Sequence, residues 1–98
     1  MKRNYGISIG EVVKRYFERT GLQTKLDETA LLQAWPEVVG PSFRKYTAAL
    51  RIENRVLYVR MNSSVAANEL AMRKTDLVQK LNQRIGKSVI DNLQINLK

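Results

Sequence analysis

The sequence contains neither cysteine nor histidine in its 98 residues. Disulfides, thiolate chemistry and zinc sites of the Cys/His type are therefore excluded, and the commonest general base is missing. Carboxylates, lysine and tyrosine remain as possible catalytic groups, but the spacing of the carboxylates does not bring any two of them into a shared pocket. The sequence also has no phosphate-binding loop, paired-glycine fingerprint or calcium loop. We therefore expect a protein that is not an enzyme and that holds no metal and no cofactor.

Glycine and proline are scarce, with five and two residues, and they are dispersed along the chain. No linker, repeat or low-complexity tract divides the sequence, so we expect one globular domain over residues 1–98. No run of 18 apolar residues occurs, and the basic first residues are not followed by an apolar segment of signal-peptide length. These absences favour a cytoplasmic protein without a membrane or small-molecule partner.

Acidic residues are also few, because nine Asp and Glu stand against 17 Lys and Arg, a net charge of +8. Such an excess favours an anionic partner, although some small proteins carry one for solubility alone. It is densest over residues 44–60, where five cations and Tyr58 accompany one acid, Glu53. The cations are Arg44, Lys45, Arg51, Arg55 and Arg60. A basic, aromatic surface suits a nucleic-acid backbone and predicts a nucleoid-associated protein.

Two helices are predicted in the first part of the chain. Ser8 and Glu11 have the spacing of a capping box, and apolar residues recur on one helical face as far as Gly21, which predicts a helix over residues 9–20. A second helix is expected over residues 24–35, followed by a break or a fresh turn over residues 36–39, because Pro36 disfavours its continuation. Trp35 on that helix is either a core residue or a contact for a protein partner. A short helical turn over residues 41–45 should follow.

Alternating apolar residues then predict a hairpin in which Ile52 pairs with Leu57 and Ala48 with Met61 on the inner face. Asn54 supports a tight turn, but the next residue is not the glycine that a primed two-residue turn prefers, so a longer loop is the alternative.

The outer face of the hairpin carries Arg51, Tyr58 and Arg60, with Arg51 opposite Tyr58. Two interpretations stay open. The arginines hold phosphates while the tyrosine ring stacks on a base, or Arg51 simply stacks on Tyr58 as a cross-strand pair.

A further helix is predicted between Ser63 or Ser64 and Gly86. Lys74 falls inside its apolar stripe, so either this side chain snorkels or the helix breaks near residues 73–76. In a continuous helix, four cations lie within one narrow sector of the helix surface. Either this basic stripe follows a nucleic-acid backbone, or it is simply a solvated face. The four cations are Arg73, Lys80, Arg84 and Lys87. Alternation over residues 93–97 predicts a last strand.

The predicted order α-α-β-β-α(α)-β indicates an α+β fold, with helices packed on one face of a small three-stranded mixed sheet. The long helix between the second and third strands favours a right-handed crossover, which makes these two strands parallel. The other face of the sheet, with Arg51, Tyr58 and Arg60, should stay open.

Four segments together resemble the DciA family: LLQAWPEVVG at residues 31–40, LYV at 57–59, SSVAANEL at 63–70 and LNQRIG at 81–86. The resemblance covers residues 7–97. It implies a type II K-homology-like fold, here without a GxxG loop because residues 71–76 contain no glycine.

For function, the resemblance implies a non-catalytic bacterial adaptor that binds single-stranded or duplex DNA and the replicative helicase in replication initiation. The alternative is a protein-interaction module whose basic face docks on an acidic protein, without nucleic acid.

Overall fold

The computed structural model describes residues 8–97, which form five helices and one three-stranded sheet. In chain order the elements are α1 (Ile9–Thr20), α2 (Leu22–Val39), α3 (Pro41–Arg44), β1 (Thr47–Glu53), β2 (Val56–Met61), α4 (Ser64–Ala71), α5 (Lys74–Ile85) and β3 (Asn92–Leu97). Strand β2 is central, antiparallel to β1 and parallel to β3. The predicted α+β class and mixed sheet are confirmed, and the order is compatible with a type II K-homology arrangement. Of the two alternatives for Lys74, the structure has the helix break, between Ala71 and Lys74.

Helix α1 has the predicted bounds because both of its ends are capped. The hydroxyl of Ser8 accepts a hydrogen bond from the backbone N–H of Glu11 at 3.1 Å. Gly21 ends the helix with a φ of 74°, a left-handed conformation that glycine adopts without steric cost. Helix α2 begins at the next residue, so Gly21 alone connects α1 to α2.

Helix α2 continues through Pro36 to Val39, so the predicted break at Pro36 is wrong. A proline inside a helix removes one backbone hydrogen bond and costs about 3 kcal/mol. Leu31 and Trp35 lie on the buried side of α2 just before it, and burying two such side chains contributes a comparable amount. The favourable packing of the helix face therefore outweighs the local preference of proline.

A two-residue turn of Asn54 and Arg55 joins β1 to β2, with φ of 50° and 64°. Positive φ at both positions defines a primed turn, which Asn supports, so the longer loop does not form. The register around Ile52 and Leu57 is confirmed.

At the other end of the hairpin, the predicted pairing of Ala48 with Met61 is wrong. Met61 pairs with Thr47, and the register shifts between Thr47 and Ala49. Ala48 is therefore the extra residue of a β-bulge, and its side chain is exposed.

The core lies between one face of the sheet and the helices α2, α4 and α5. It contains Leu31, Trp35, Phe43, Leu57, Val59, Met61, Ala66, Leu70, Leu77, Leu81, Val89, Ile90 and Leu93. The predicted burial of Leu57, Val59, Leu70, Leu77 and Leu81 is confirmed, whereas Leu50 and Ile52 on the edge strand β1 are only partly buried.

Helix α1 lies outside this core and packs mainly on α2. None of its residues is buried, so the predicted burial of Val13 is wrong, and Phe17 is only partly buried. The apolar face of α1 remains exposed because the sheet does not extend to it. None of the helices in residues 8–97 is long and apolar enough to cross a membrane.

Candidate nucleic-acid interface

The helices leave one face of the sheet uncovered, and we call this surface the open face. Its side chains form three rows across the strands in the order β1, β2, β3. The rows are Glu53–Val56–Asn92, Arg51–Tyr58–Gln94 and Ala49–Arg60–Asn96. The rows exist because side chains alternate along each strand, so every second residue points away from the core. The prediction that this face stays open is confirmed for the residues that the structure describes.

Arg51 and Tyr58 form the central contact of the open face. The guanidinium carbon of Arg51 lies 4.2 Å from the centroid of the Tyr58 ring, a stacked cation–π arrangement. Nη1 of Arg51 also donates to a carboxylate oxygen of Glu53 at 2.6 Å. The cross-strand stack is therefore present, and the Tyr58 ring is partly buried rather than exposed. Arg60 is exposed, as predicted.

A shallow depression of about 120 Å³ opens beside Arg60. It forms over Ala49, whose methyl group is the shortest side chain of its row, and its walls are Arg51, Tyr58, Arg60 and Asn96. Pockets for whole small molecules usually measure about 300–1,000 Å³. The depression has room for a single flat ring or a phosphate group.

Three further predicted cations gather around α3, next to the Thr47 end of β1. Arg73 stacks on Phe43, with 5.5 Å between its guanidinium carbon and the ring centroid. Lys45 Nζ lies 5.2 Å from the centroid of the Tyr46 ring. Arg44 is exposed on the same short helix. We call Arg44, Lys45 and Arg73 the α3 cluster.

Arg55 lies at the opposite end of the hairpin, where its guanidinium is fully engaged. Its Nε and Nη2 donate to the two carboxylate oxygens of Asp91 at 2.9 and 2.8 Å. It also donates to the backbone carbonyl and the hydroxyl of Ser88 at 3.1 and 2.8 Å. These hydrogen bonds hold the pKa of Asp91 below its usual value, and the charge of Arg55 lowers it further. Arg55 thus fastens the hairpin turn to the loop before β3.

The predicted helical stripe is divided by the break between α4 and α5. Arg73 precedes α5 and belongs to the α3 cluster, so it does not share a sector with the other cations. Those three each pair with a carboxylate. Lys80 contacts Asp76 at 3.2 Å, Lys87 contacts Asp27 at 3.1 Å, and Arg84 contacts Glu37. Their positive charge is partly neutralised within the protein, as that of Arg51 is by Glu53, whereas Arg60 forms no salt bridge among the described residues.

Trp35 is 1% exposed and lies in the core, so its ring offers no surface to a partner in this conformation. Sequence reasoning missed Gln94 and Asn96 as parts of the interface. The sequence does carry a signal for them, because polar residues alternate with apolar ones along β3 and so share one face of the strand. Only the parallel pairing with β2 places them beside Tyr58 and Arg60.

No group of three or more Asp or Glu residues within residues 8–97 is arranged to hold a metal ion. The open face instead offers hydrogen-bond donors, the aromatic ring of Tyr58 and positive charge, which are features of surfaces that bind an anionic polymer.

Comparisons with known proteins agree on one family. The family model described as "Dna[CI] antecedent, DciA" matches residues 8–95. The chain is 24% identical over 88 residues to a UPF0232 protein of Corynebacterium glutamicum (strain R), covering 90% of this chain and 49% of that protein. It is 26% identical over 91 residues to a UPF0232 protein of Streptomyces coelicolor, covering 91% and 48%. The chain spans about half the length of the curated relatives it matches.

Proposed function

This chain belongs to the DciA family, and from that premise we propose that it is a non-catalytic adaptor that binds nucleic acid and the bacterial replicative helicase. The proposed role is to assist placement of the helicase on DNA at replication initiation, as the family resemblance implies. An adaptor of this kind needs one surface for nucleic acid and one for protein.

The observation that carries the nucleic-acid part of the proposal is the open face. It presents Arg51 and Arg60 with one acid, Glu53, and the α3 cluster adds three cations at one end. Among the described residues, Arg60 forms no salt bridge. Arginine and lysine side chains of this kind contact phosphates without reading sequence, so they support binding with little sequence preference.

The protein part of the proposal is supported by α1. Ile9, Val12 and Tyr16 on this helix are 80%, 53% and 57% exposed. Contiguous apolar surface on a helix is commonly covered by a protein partner. Helix α1 contacts mainly α2 and none of its residues is buried, so this apolar surface is available to a protein partner.

Fluorescence anisotropy tests the nucleic-acid part, with labelled single-stranded and duplex oligonucleotides at several salt concentrations. If four to six phosphates are neutralised, the logarithm of affinity should fall with the logarithm of salt concentration at a slope of about −3 to −5. Absence of binding to either oligonucleotide at low salt would refute this part of the proposal.

A second candidate function is a protein-interaction module that docks on an acidic protein without nucleic acid. The exposed side chains of Val65 and Met72 favour it, since they lie on and just after α4, close to the α3 cluster. The oligonucleotide titrations separate the two functions, because only the adaptor binds nucleic acid. Purified helicase and purified chain, mixed with and without nuclease, show whether the contact between the two proteins is direct. A complex that survives nuclease is held by direct protein contacts, whereas one that dissociates is bridged by nucleic acid.

A further inference from the structure

We propose that Gln94 and Asn96 of β3 bind the edges of unstacked bases, so that the open face takes single-stranded rather than duplex nucleic acid. This inference rests on the proposed nucleic-acid binding. It adds which part of the ligand contacts β3 and which form of nucleic acid can reach it.

The open face is divided by charge. Its cations, Arg51 and Arg60, lie on β1 and β2, while β3 contributes only neutral amides to this face: Asn92, Gln94 and Asn96. Neighbouring strands lie about 4.8 Å apart, so Asn96 is directly beside Arg60 and Gln94 directly beside Tyr58. A ligand that spans the face therefore meets positive charge on one side and amides on the other.

The amides on β3 are available to a ligand. Both Gln94 and Asn96 are exposed, and within residues 8–97 neither side chain makes a hydrogen bond. Asn92 differs, since its side-chain oxygen accepts a hydrogen bond from the backbone N–H of Leu93 at 2.7 Å. Asn96 also forms one wall of the depression over Ala49, whose volume of about 120 Å³ suits a single ring.

The chemistry of an amide fits a base better than a phosphate. A phosphate only accepts hydrogen bonds, and the two neighbouring arginines already supply charged donors for it. An amide side chain presents both N–H donors and a carbonyl acceptor. Base edges likewise present donors and acceptors side by side, and asparagine or glutamine pairs with them. We therefore place the backbone over Arg51 and Arg60 and the bases over β3.

The shape of the surface determines which nucleic acid can make these contacts. In duplex DNA the base edges lie within grooves, and a sheet face reaches them only when the DNA is bent and partly unstacked, which costs energy. Bases of a single strand can turn outward and stack on aromatic rings or on guanidinium planes. On the open face an outward-turned base can reach Gln94 while its backbone stays over Arg51 and Arg60 on the neighbouring strands.

The test compares the double variant Gln94→Ala/Asn96→Ala with the wild type by fluorescence anisotropy. The probes are a mixed-sequence single strand, an abasic strand of equal length and the corresponding duplex. Because each lost hydrogen bond weakens binding about two- to tenfold, the loss of two should lower affinity for the normal strand about four- to hundredfold. Affinity for the abasic strand should not change. Gln83→Ala, an exposed amide on α5, is the matched control and should leave all affinities unchanged.

Arg51→Gln/Arg60→Gln separates this inference from the proposed function, because it should weaken binding to normal and abasic strands alike. If that variant loses affinity while Gln94→Ala/Asn96→Ala does not, the amide contacts are refuted and the proposed function stands. An equal loss on both strands in the amide variant, or tighter binding of duplex than of single strand by the wild type, also refutes the inference. If no oligonucleotide binds the wild type, the proposed function fails and the inference with it.

Circular dichroism and thermal melting check that each variant is folded. Should the alanine variant unfold, Gln94→Thr/Asn96→Thr replaces it, because threonine favours strands and lacks the amide. The same outcomes then apply to this second variant.

Discussion

The indole Nε1 of Trp35 donates a hydrogen bond to the hydroxyl oxygen of Thr47 at 3.1 Å. That hydroxyl in turn donates to the backbone carbonyl of Phe43 at 3.0 Å. The bulge at Ala48 turns Thr47 inward, so it supplies the acceptor that the buried indole requires. One short chain of hydrogen bonds therefore ties α2 and α3 to the first residue of the sheet.

Replacing Thr47 with valine keeps the shape of the side chain but removes this acceptor. A buried donor without a partner costs about 1–3 kcal/mol, so the free energy of unfolding should fall by that amount. Urea unfolding followed by the fluorescence of Trp35 measures the change. Thr29→Val, the same replacement at an exposed position of α2, should change stability by less than about 0.5 kcal/mol. Equal effects at both positions would contradict the structural role of Thr47.

Truncation of Leu57 to alanine should lower the free energy of unfolding by about 2–5 kcal/mol. Leu57 is 0% exposed on the central strand β2, where the sheet meets the helices, so its removal leaves a cavity. Chemical denaturation again measures the loss. Val65→Ala, at a site on α4 that is 70% exposed, is the control and should be nearly neutral. A loss below about 1 kcal/mol for Leu57→Ala would contradict the described core.

Replacing Arg51 and Arg60 with glutamine should weaken binding to DNA with little change in stability, because both are exposed strand residues. Losing two phosphate contacts should also flatten the salt slope by about two units. Anisotropy titrations at several salt concentrations give both quantities. Arg15→Gln/Arg19→Gln on α1 removes the same charge elsewhere and should preserve most of the slope.

The same arginine variant reports on the protein partner. If it still binds the replicative helicase, two surfaces serve two partners. If both activities disappear together, one basic face serves both, and the partners exchange by competition. An unchanged DNA affinity and salt slope would reject the open face and direct attention to Lys80, Arg84 and Lys87.

Glu53→Gln should strengthen binding of nucleic acid. Glu53 is the one acid on the open face, and its carboxylate engages a donor of Arg51 at 2.6 Å. Removing the negative charge relieves repulsion of phosphates and releases that donor, so affinity at low salt should rise about two- to fivefold. The gain should shrink at high salt through screening. Glu18→Gln on α1 is the control for total charge, and an equal gain there would contradict a local effect.

The pair of Arg55 and Asp91 should make stability depend on pH in the acid range. Hydrogen bonds from Arg55 lower the pKa of Asp91 in the folded protein. As the pH falls, Asp91 is therefore protonated first in the unfolded chain, at about pH 3.9. The stabilisation is present above that value and is lost as the pH falls through the lowered folded pKa.

Asp91→Asn should therefore melt at a lower temperature than the wild type at pH 7, and the difference should narrow below about pH 4. Arg55→Lys keeps the positive charge but not the bidentate contact with Asp91, so its melting temperature at pH 7 should fall by part of the same amount. Melting curves over a pH series measure both variants. A difference that stays constant from pH 7 to about pH 2 would contradict the ion pair as its cause.

Local rules predicted α1, the hairpin register around Leu57 and the break before α5, because caps, alternation and a cation in an apolar stripe act over a few residues. They failed at Pro36 and at Ala48. Helix α2 continues through Pro36 because Trp35 packs against core residues that are distant in sequence. The bulge at Ala48 turns Thr47 inward, where its hydroxyl accepts the hydrogen bond of the Trp35 indole from 12 residues away along the chain. They failed again at Val13, since amphipathic spacing identifies an apolar face but not whether anything covers it.

The sequence by itself determined the class of the protein: its excess of cations, its lack of cysteine and histidine, the order of its elements and the motifs of its family. Each of these depends on residue identity or on neighbours along the chain. Only the tertiary structure decided which cations remain available, since Arg55 and Arg84 meet carboxylates 36 and 47 residues away. It also placed the amides of β3 beside Tyr58 and Arg60. Ion pairing and strand order depend on distances in space, and those distances are fixed only when the chain has packed.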